Sequence, residues 1–177
     1  AHGEDIPCFA LTEPTAGSDA ANGQATGVLC KGVYNGEEVL GLRLNFSKRY
    51  ITLAPVATVI GLSFRALDPD GLLGGNDDLG ITCALLPRDL DGMEIGGRHD
   101  PMGIPFPNGP IFGVDAFIPM DFVIGGRDGV GQGWRMLMEC LAAGRSISLP
   151  AQSVGAVQLA ARVVGAYGSV REQFGLP

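Results

Sequence analysis

An antiparallel β-sandwich or barrel followed by two C-terminal α-helices is the fold this sequence predicts, and three features carry the expectation. Asn35-Gly36 stands between two strand-like runs in GVLCKGVYNGEEVLGLRLNFS, Gly27 to Ser47. Further short apolar runs follow, punctuated by Gly, Pro and Asp. After Gly133 the apolar spacing changes from a period of two to that of a helix.

The first run, CFALTEPTAGSD from Cys8 to Asp19, reads as a strand end followed by a tight turn at Pro14 and Gly17, crowded with small polar groups. Asn35-Gly36 then marks a hairpin, because a type I′ turn needs residues that tolerate positive φ. In its second arm Leu40, Leu42, Leu44 and Phe46 alternate with Gly41, Arg43, Asn45 and Ser47, giving one buried and one wet face. VATVIGLSF, GITCALLP and AFIPMDFVIGG continue the strands, separated by DPDGLLGGNDDLG and HDPMGIPFPNGP. Trp134, Leu137, Met138 and Leu141 fall at i, i+3, i+4 and i+7, the spacing of one helix face, and are read as core. Val154, Val157, Ala161 and Val164 line one side of a second helix, with Pro150 as the break or the first turn between the two. The boundaries predicted are a β-domain over 1–130 and the start of a helical domain over 131–177. That last stripe has nothing to cover it, which predicts a piece of something larger or self-association.

The chain has 177 residues, 46% of them hydrophobic, enough for a real core. No window reaches the roughly 18 uncharged apolar residues of a membrane span, and no secretory signal opens the sequence. A formal net charge of −7 argues against a nucleic-acid binder, which would concentrate Lys and Arg. Cys8, Cys30, Cys83 and Cys140 are widely spaced, and three sit in apolar runs, as expected of reduced thiols in a cytoplasmic protein. With only His2 and His99 present, a zinc site or a His-based triad is poorly supplied, and no metal is expected.

Five segments in order carry a family resemblance. ALTEPTAGSD, Ala10 to Asp19, resembles the flavin-binding signature of the acyl-CoA dehydrogenases. KRYITLA, Lys48 to Ala54, is similar to the family's Lys-x-Trp-Ile-Thr segment, with Tyr50 where most members carry Trp. GITCALLPRDLDGMEIG, AFIPMDFVIGGRDGVGQGW and the helix motif REQFG, Arg171 to Gly175, complete the set. SKRYITLAP together with LLGGNDDLGITCALLP resembles most closely the large bacterial members of fatty-acid β-oxidation. The resemblance implies the family's middle β-domain and the start of its C-terminal helical domain.

What the resemblance implies for the site is FAD held by Phe9, Leu11, Thr12, Gly17 and Ser18, with Tyr50 against the isoalloxazine and Thr52 near its N5. Arg171, Gln173 and Phe174 would reach the FAD of a neighbouring subunit, in a homo-oligomer. Ser18 and Arg145 would contact the acyl-CoA, although the spacing from Arg145 to Arg171 is one residue longer than is typical of the family. The implied reaction is α,β-dehydrogenation of a fatty acyl-CoA to the trans-2-enoyl-CoA. Electrons would pass to electron-transfer flavoprotein or a similar acceptor, in the cytoplasm or at the periphery of the inner membrane. The family's base is a Glu on a later helix, so no catalytic residue is assigned within this chain.

Blander readings compete at several positions. Glu13 beside a turn reads as an acceptor for backbone N–H groups rather than a general base. Without the resemblance Tyr50 would be sheet packing and Thr52 strand filler. DGVGQGW invites a dinucleotide fingerprint but lacks the following strand and acidic residue, and GLSFR lacks the second Gly of a nucleophile elbow. The functional alternatives are a non-catalytic β-sandwich module that binds acyl-CoA or protein, and a related flavin oxidase or monooxygenase on the same scaffold.

Overall fold

Asn35 and Gly36 take φ of 51° and 85°, so the turn expected from the sequence closes a hairpin between β2 (Thr26–Tyr34) and β3 (Glu37–Thr52). The computed structural model describes residues 2–175. Its other strands are β1 (Pro7–Ala10), β4 (Val59–Leu67), β5 (Asp78–Pro87), β6 (Met93–Ile95) and β7 (Asn108–Pro119). A short helix α1 (Gly126–Gly129) and a long helix α2 (Gly133–Val170) follow. The chain divides into a β unit through Trp134 and a helical unit from Arg135.

The seven strands form one sheet in the order β1-β4-β2-β3-β7-β6, with β5 on β4. It is mixed, which corrects the purely antiparallel expectation. Pro7 to Ala10 of β1 and Thr26 to Val28 of β2 both run parallel to β4, at its first and second halves, while β5 pairs antiparallel to it. Short strands with turn punctuation do not say which edge is shared, so two successive strands lying along one edge of β4 escape the pattern. Ile60 to Phe64 of β4 are all buried, as befits a strand covered on both faces.

Leu42, Leu44 and Phe46 of β3 face the core with Leu29, Ile60, Leu62, Leu86, Ile111 and Ile118. Each such side chain contributes roughly 1.5–3 kcal/mol relative to exposure. The glycines of DGVGQGW have a packing reason: Gly131, at φ 77°, donates its N–H to Thr82 Oγ1 at 2.9 Å, and a Cβ there would meet the Leu79 carbonyl at 2.2 Å. A side chain at that point would push α1 and its exit off β5.

The helical end differs from the two helices expected. One helix of 38 residues runs through Pro150. A second helix would need a cap before Pro150, but the nearest hydroxyl, Ser148 Oγ, turns back onto the Gly144 carbonyl at 2.8 Å. Val154, Val157 and Val164 are exposed, and Trp134, expected in the core, is 36% exposed. No helix among the described residues is long and apolar enough to cross a membrane.

Candidate functional site

Thr12 lies two residues past β1, where the chain leaves the sheet into a turn. The turn is closed by paired backbone hydrogen bonds between Glu13 and Ala16, at 3.1 and 3.3 Å, with Pro14 inside it. Thr12 is joined to β3 from outside the ladder, because its carbonyl accepts the Arg49 N–H at 3.0 Å. The turn segment and the KRYIT segment therefore meet along one line.

A bulge sets what β3 presents there. Lys48 pairs with Ile111 but Ile51 pairs with Gly109, so β3 carries one extra residue between these positions. Tyr50 absorbs it with φ of 56°, a left-handed conformation that costs a bulky residue about 1–2 kcal/mol. The face alternation shifts as a result: Lys48 and Ile51 are buried, whereas Tyr50 is 52% exposed and Thr52 is exposed.

The Tyr50 ring is flanked on the chain's own side. The Arg49 guanidinium carbon lies 5.1 Å from its centroid and the His99 ring 4.7 Å away, tilted by 51°. His99 is tied to β7 by its N–H to the Asn108 carbonyl at 2.9 Å, and Asn108 is the register partner of Thr52. Among the described residues, three buried polar side-chain atoms lack a partner: Arg49 Nε, His99 Nε2 and Asn108 Oδ1. All three belong to the residues around Tyr50 and Thr52. Buried polar groups are nearly always satisfied, so three unpaired atoms around one ring single this edge out as a candidate site.

Beneath this edge Lys48 and Glu13 form an ion pair at 2.7 Å with 2% and 3% of their side chains exposed. Lys48 Nζ also donates to the Leu11 carbonyl at 3.1 Å. The Glu13 carboxylate accepts the backbone N–H groups of Gln24 and Ala25. Burial alone would push the Glu13 carboxyl up, but the Lys48 hydrogen bond and those N–H groups together hold it below its ordinary value. Glu13 is thus the backbone acceptor expected from its turn, and its occupied oxygens leave it unavailable as a base.

The remaining expected residues are placed as follows. Leu11 is half-buried, and Phe9 is 38% exposed with its ring over Gly61, where a Cβ would stand 2.6 Å from the ring edge. Gly61 of GLSFR therefore makes room for Phe9. Gly17 and Ser18 are exposed, and a Cβ at Gly17 would meet nothing within 4 Å, so the chain's own packing gives no reason for glycine there. Arg145, Arg171, Gln173 and Phe174 belong to the helical unit and are exposed, Phe174 at 99% with φ of 56°.

Lys48, Arg49, His99 and Asn108 went unassigned in the sequence reading. Lys48 had a signal: it continues the buried register of Leu42, Leu44 and Phe46, and a lysine on an apolar face needs a partner. His99 and Asn108 lie in and beside an irregular loop, with no periodicity to place them.

Known proteins share the sequence and fold of this chain. The model of the acyl-CoA dehydrogenase middle domain matches residues 8–112. A protein of Proteus mirabilis named HemX is 57% identical over 99 residues, which are 56% of this chain and 58% of that protein. A probable acyl-CoA dehydrogenase of Bacillus subtilis, YngJ, is 33% identical over 179 aligned residues, 100% of this chain and 42% of its own length. Among solved structures, butyryl-CoA dehydrogenase from Megasphaera elsdenii superposes with a TM-score of 0.65 at 29% identity, covering 98% of this chain and 41% of that one. The chain thus spans less than two thirds of the relatives it matches.

Proposed function

The chain belongs to the acyl-CoA dehydrogenase family, and from that premise we propose that it forms the FAD-binding β-domain and first helix of an enzyme oxidising fatty acyl-CoA to trans-2-enoyl-CoA. The domains proposed are residues 1–130 and 131–177. One observation carries the reading: the Arg49 to Thr12 hydrogen bond and the Tyr50 bulge align Thr12, Tyr50 and Thr52 along one edge, beside three orphaned buried polar atoms.

The residues present fit a flavin. Tyr50 offers half its ring outward, Thr12 and Thr52 offer hydroxyls that both donate and accept, and Gly17 leaves open space for close backbone approach to a phosphate. FAD, when bound, supplies the acceptor for the β hydrogen as hydride. The chain's own share is to orient that cofactor and to keep water from one of its faces with the Tyr50 ring. Ser18 and Arg145 are proposed for the acyl-CoA, and Phe9 and Leu11 for the flavin's apolar flank. Arg171, Gln173 and Phe174 are proposed to meet the FAD of a neighbouring subunit, where a guanidinium donates charge-assisted bonds to phosphate. The α proton needs a carboxylate within hydrogen-bond reach, and with Glu13 occupied that base is proposed to lie outside this chain. Electron-transfer flavoprotein or a similar acceptor would take the electrons, in the cytoplasm or at the inner membrane's periphery.

The test is to purify the full-length protein that carries this chain, record its visible absorbance, and assay fatty acyl-CoA with an artificial electron acceptor. Flavin bands with enoyl-CoA product are expected. A folded, flavin-free protein that takes up no added FAD would contradict the reading.

A further inference from the structure

We propose that Lys48 is a positioning residue for the cofactor edge, holding the Leu11 to Thr12 peptide so that the Thr12 N–H is presented outward. This rests on the flavin reading above. Lys48 Nζ donates to the Leu11 carbonyl at 3.1 Å, which fixes that carbonyl toward the interior. The peptide is trans, as are all the described ones, so the Thr12 N–H on its other side must point the opposite way. The next carbonyl, that of Thr12, is held by the Arg49 N–H. Both peptides flanking Thr12 are therefore anchored by adjacent residues of β3, just before Tyr50.

Glu13 serves this clamp by making a buried lysine tolerable. Its Oε1 accepts both Lys48 Nζ at 2.7 Å and the Ala25 N–H at 3.1 Å. A Cβ at Gly23 would stand 2.9 Å from the same oxygen, so the chain passes the carboxylate as closely as only glycine allows. Buried ion pairs of this kind seldom stabilise more than a well-packed apolar pair would. An apolar pair could fill the same volume but could not hold the Leu11 carbonyl. Geometry rather than stability is what the pair supplies.

The proposal separates fold from position in a set of variants of the full-length protein, with thermal stability, FAD dissociation constant and flavin absorption bands as readouts. Lys48→Met strands a buried carboxylate and should lose stability. Lys48→Met with Glu13→Gln removes both charges and should recover most of that stability, yet bind FAD about tenfold more weakly with shifted flavin bands, the effect of one lost hydrogen bond. Glu13→Gln alone leaves the buried lysine without its counter-charge and should lose stability as well, so it reports on the ion pair and not on the clamp. A stable double variant with wild-type affinity and spectrum would overturn the proposal, leaving the pair as scaffolding only. Lys48→Met alone also frees the Leu11 carbonyl, so its folded fraction should show the same tenfold loss; wild-type FAD affinity there would overturn the proposal as well, even where the double variant does not fold. Wild-type protein that binds no FAD would sink the function and this proposal together, whereas the first two results leave the function standing.

Discussion

The Arg49 N–H donates to the Thr12 carbonyl at 3.0 Å, joining two residues 37 positions apart outside any strand ladder. Through this bond the turn after β1 is joined side by side to the bulged end of β3. The proposed cofactor site depends on that join more than on either segment alone.

Removing the hydroxyls should therefore weaken FAD binding cumulatively. Thr12→Ala, Ser18→Ala and Thr52→Ala should each cost about 0.5–1.5 kcal/mol of cofactor affinity, and the triple variant correspondingly more. Because these side chains are exposed or half-buried, melting temperatures of the apoprotein should move little. Titration of the full-length apoprotein with FAD measures this, and a triple variant with wild-type affinity would contradict the placement.

Tyr50→Gly separates the bulge from the ring. Glycine takes the left-handed conformation without penalty, recovering about 1–2 kcal/mol. Loss of the ring's contacts with Arg49 and His99 costs about 0.5–1.5 kcal/mol. The two nearly cancel, so stability in urea should change by no more than about 1 kcal/mol while FAD binding falls. Deleting Tyr50 instead should remove the bulge and restore plain alternation, with Lys48 and Ile51 still inward and Arg49 and Thr52 outward, so the fold should survive while FAD binding falls with the loss of the ring. A deletion variant that no longer folds would show that the extra residue does more than form this bulge.

Acid should weaken the fold partly through Glu13. Its carboxyl is held below the ordinary value of 4.5, so its stabilising contribution is present above that pH and is lost as pH falls through the lower folded value. Urea midpoints followed downward from about pH 5 should fall less steeply in Lys48→Met with Glu13→Gln than in wild type. Equal slopes would mean that other carboxylates govern the acid limb.

Cys8 should behave in the opposite sense. Burial pushes its thiol up to about 11 from 9.0, outweighing the pull of Arg88 toward the thiolate. A raised folded value gives stability that is complete below pH 9 and is lost as pH climbs toward 11. In the native protein at about pH 8, alkylation should spare Cys8 until the chain is denatured. Peptide mass mapping of native and denatured samples checks this, and rapid native labelling of Cys8 would contradict it.

Much of the fold was legible because period-two alternation and the Asn35-Gly36 turn are local signals. The hairpin and its buried Leu42 and Leu44 followed from them, and the acceptor role of Glu13 from its place beside a turn. The parallel pairings of β1 and β2 with β4 were not legible, because pairing partners are chosen by tertiary contact. Nor was the bulge at Tyr50: strict alternation from Leu42 would bury Tyr50 and Thr52, and only the extra residue turns both outward. Pro150 signalled a break that the structure does not make, since a proline shows where a helix is weakened and the absence of a forward cap decides that it continues. The resemblance supplied Thr12 and Thr52, while Arg49, His99 and Asn108 emerged only when loops and strands were assembled around Tyr50.

Amide hydrogen exchange of the full-length protein, with and without FAD, tests the central claim most directly. Slowed exchange on FAD addition is predicted across 11–18 and 49–52, with the hairpin turn at Asn35-Gly36 unchanged as an internal control. Protection confined to other segments, with 11–18 and 49–52 exchanging at the apoprotein rate while FAD is bound, would contradict the account.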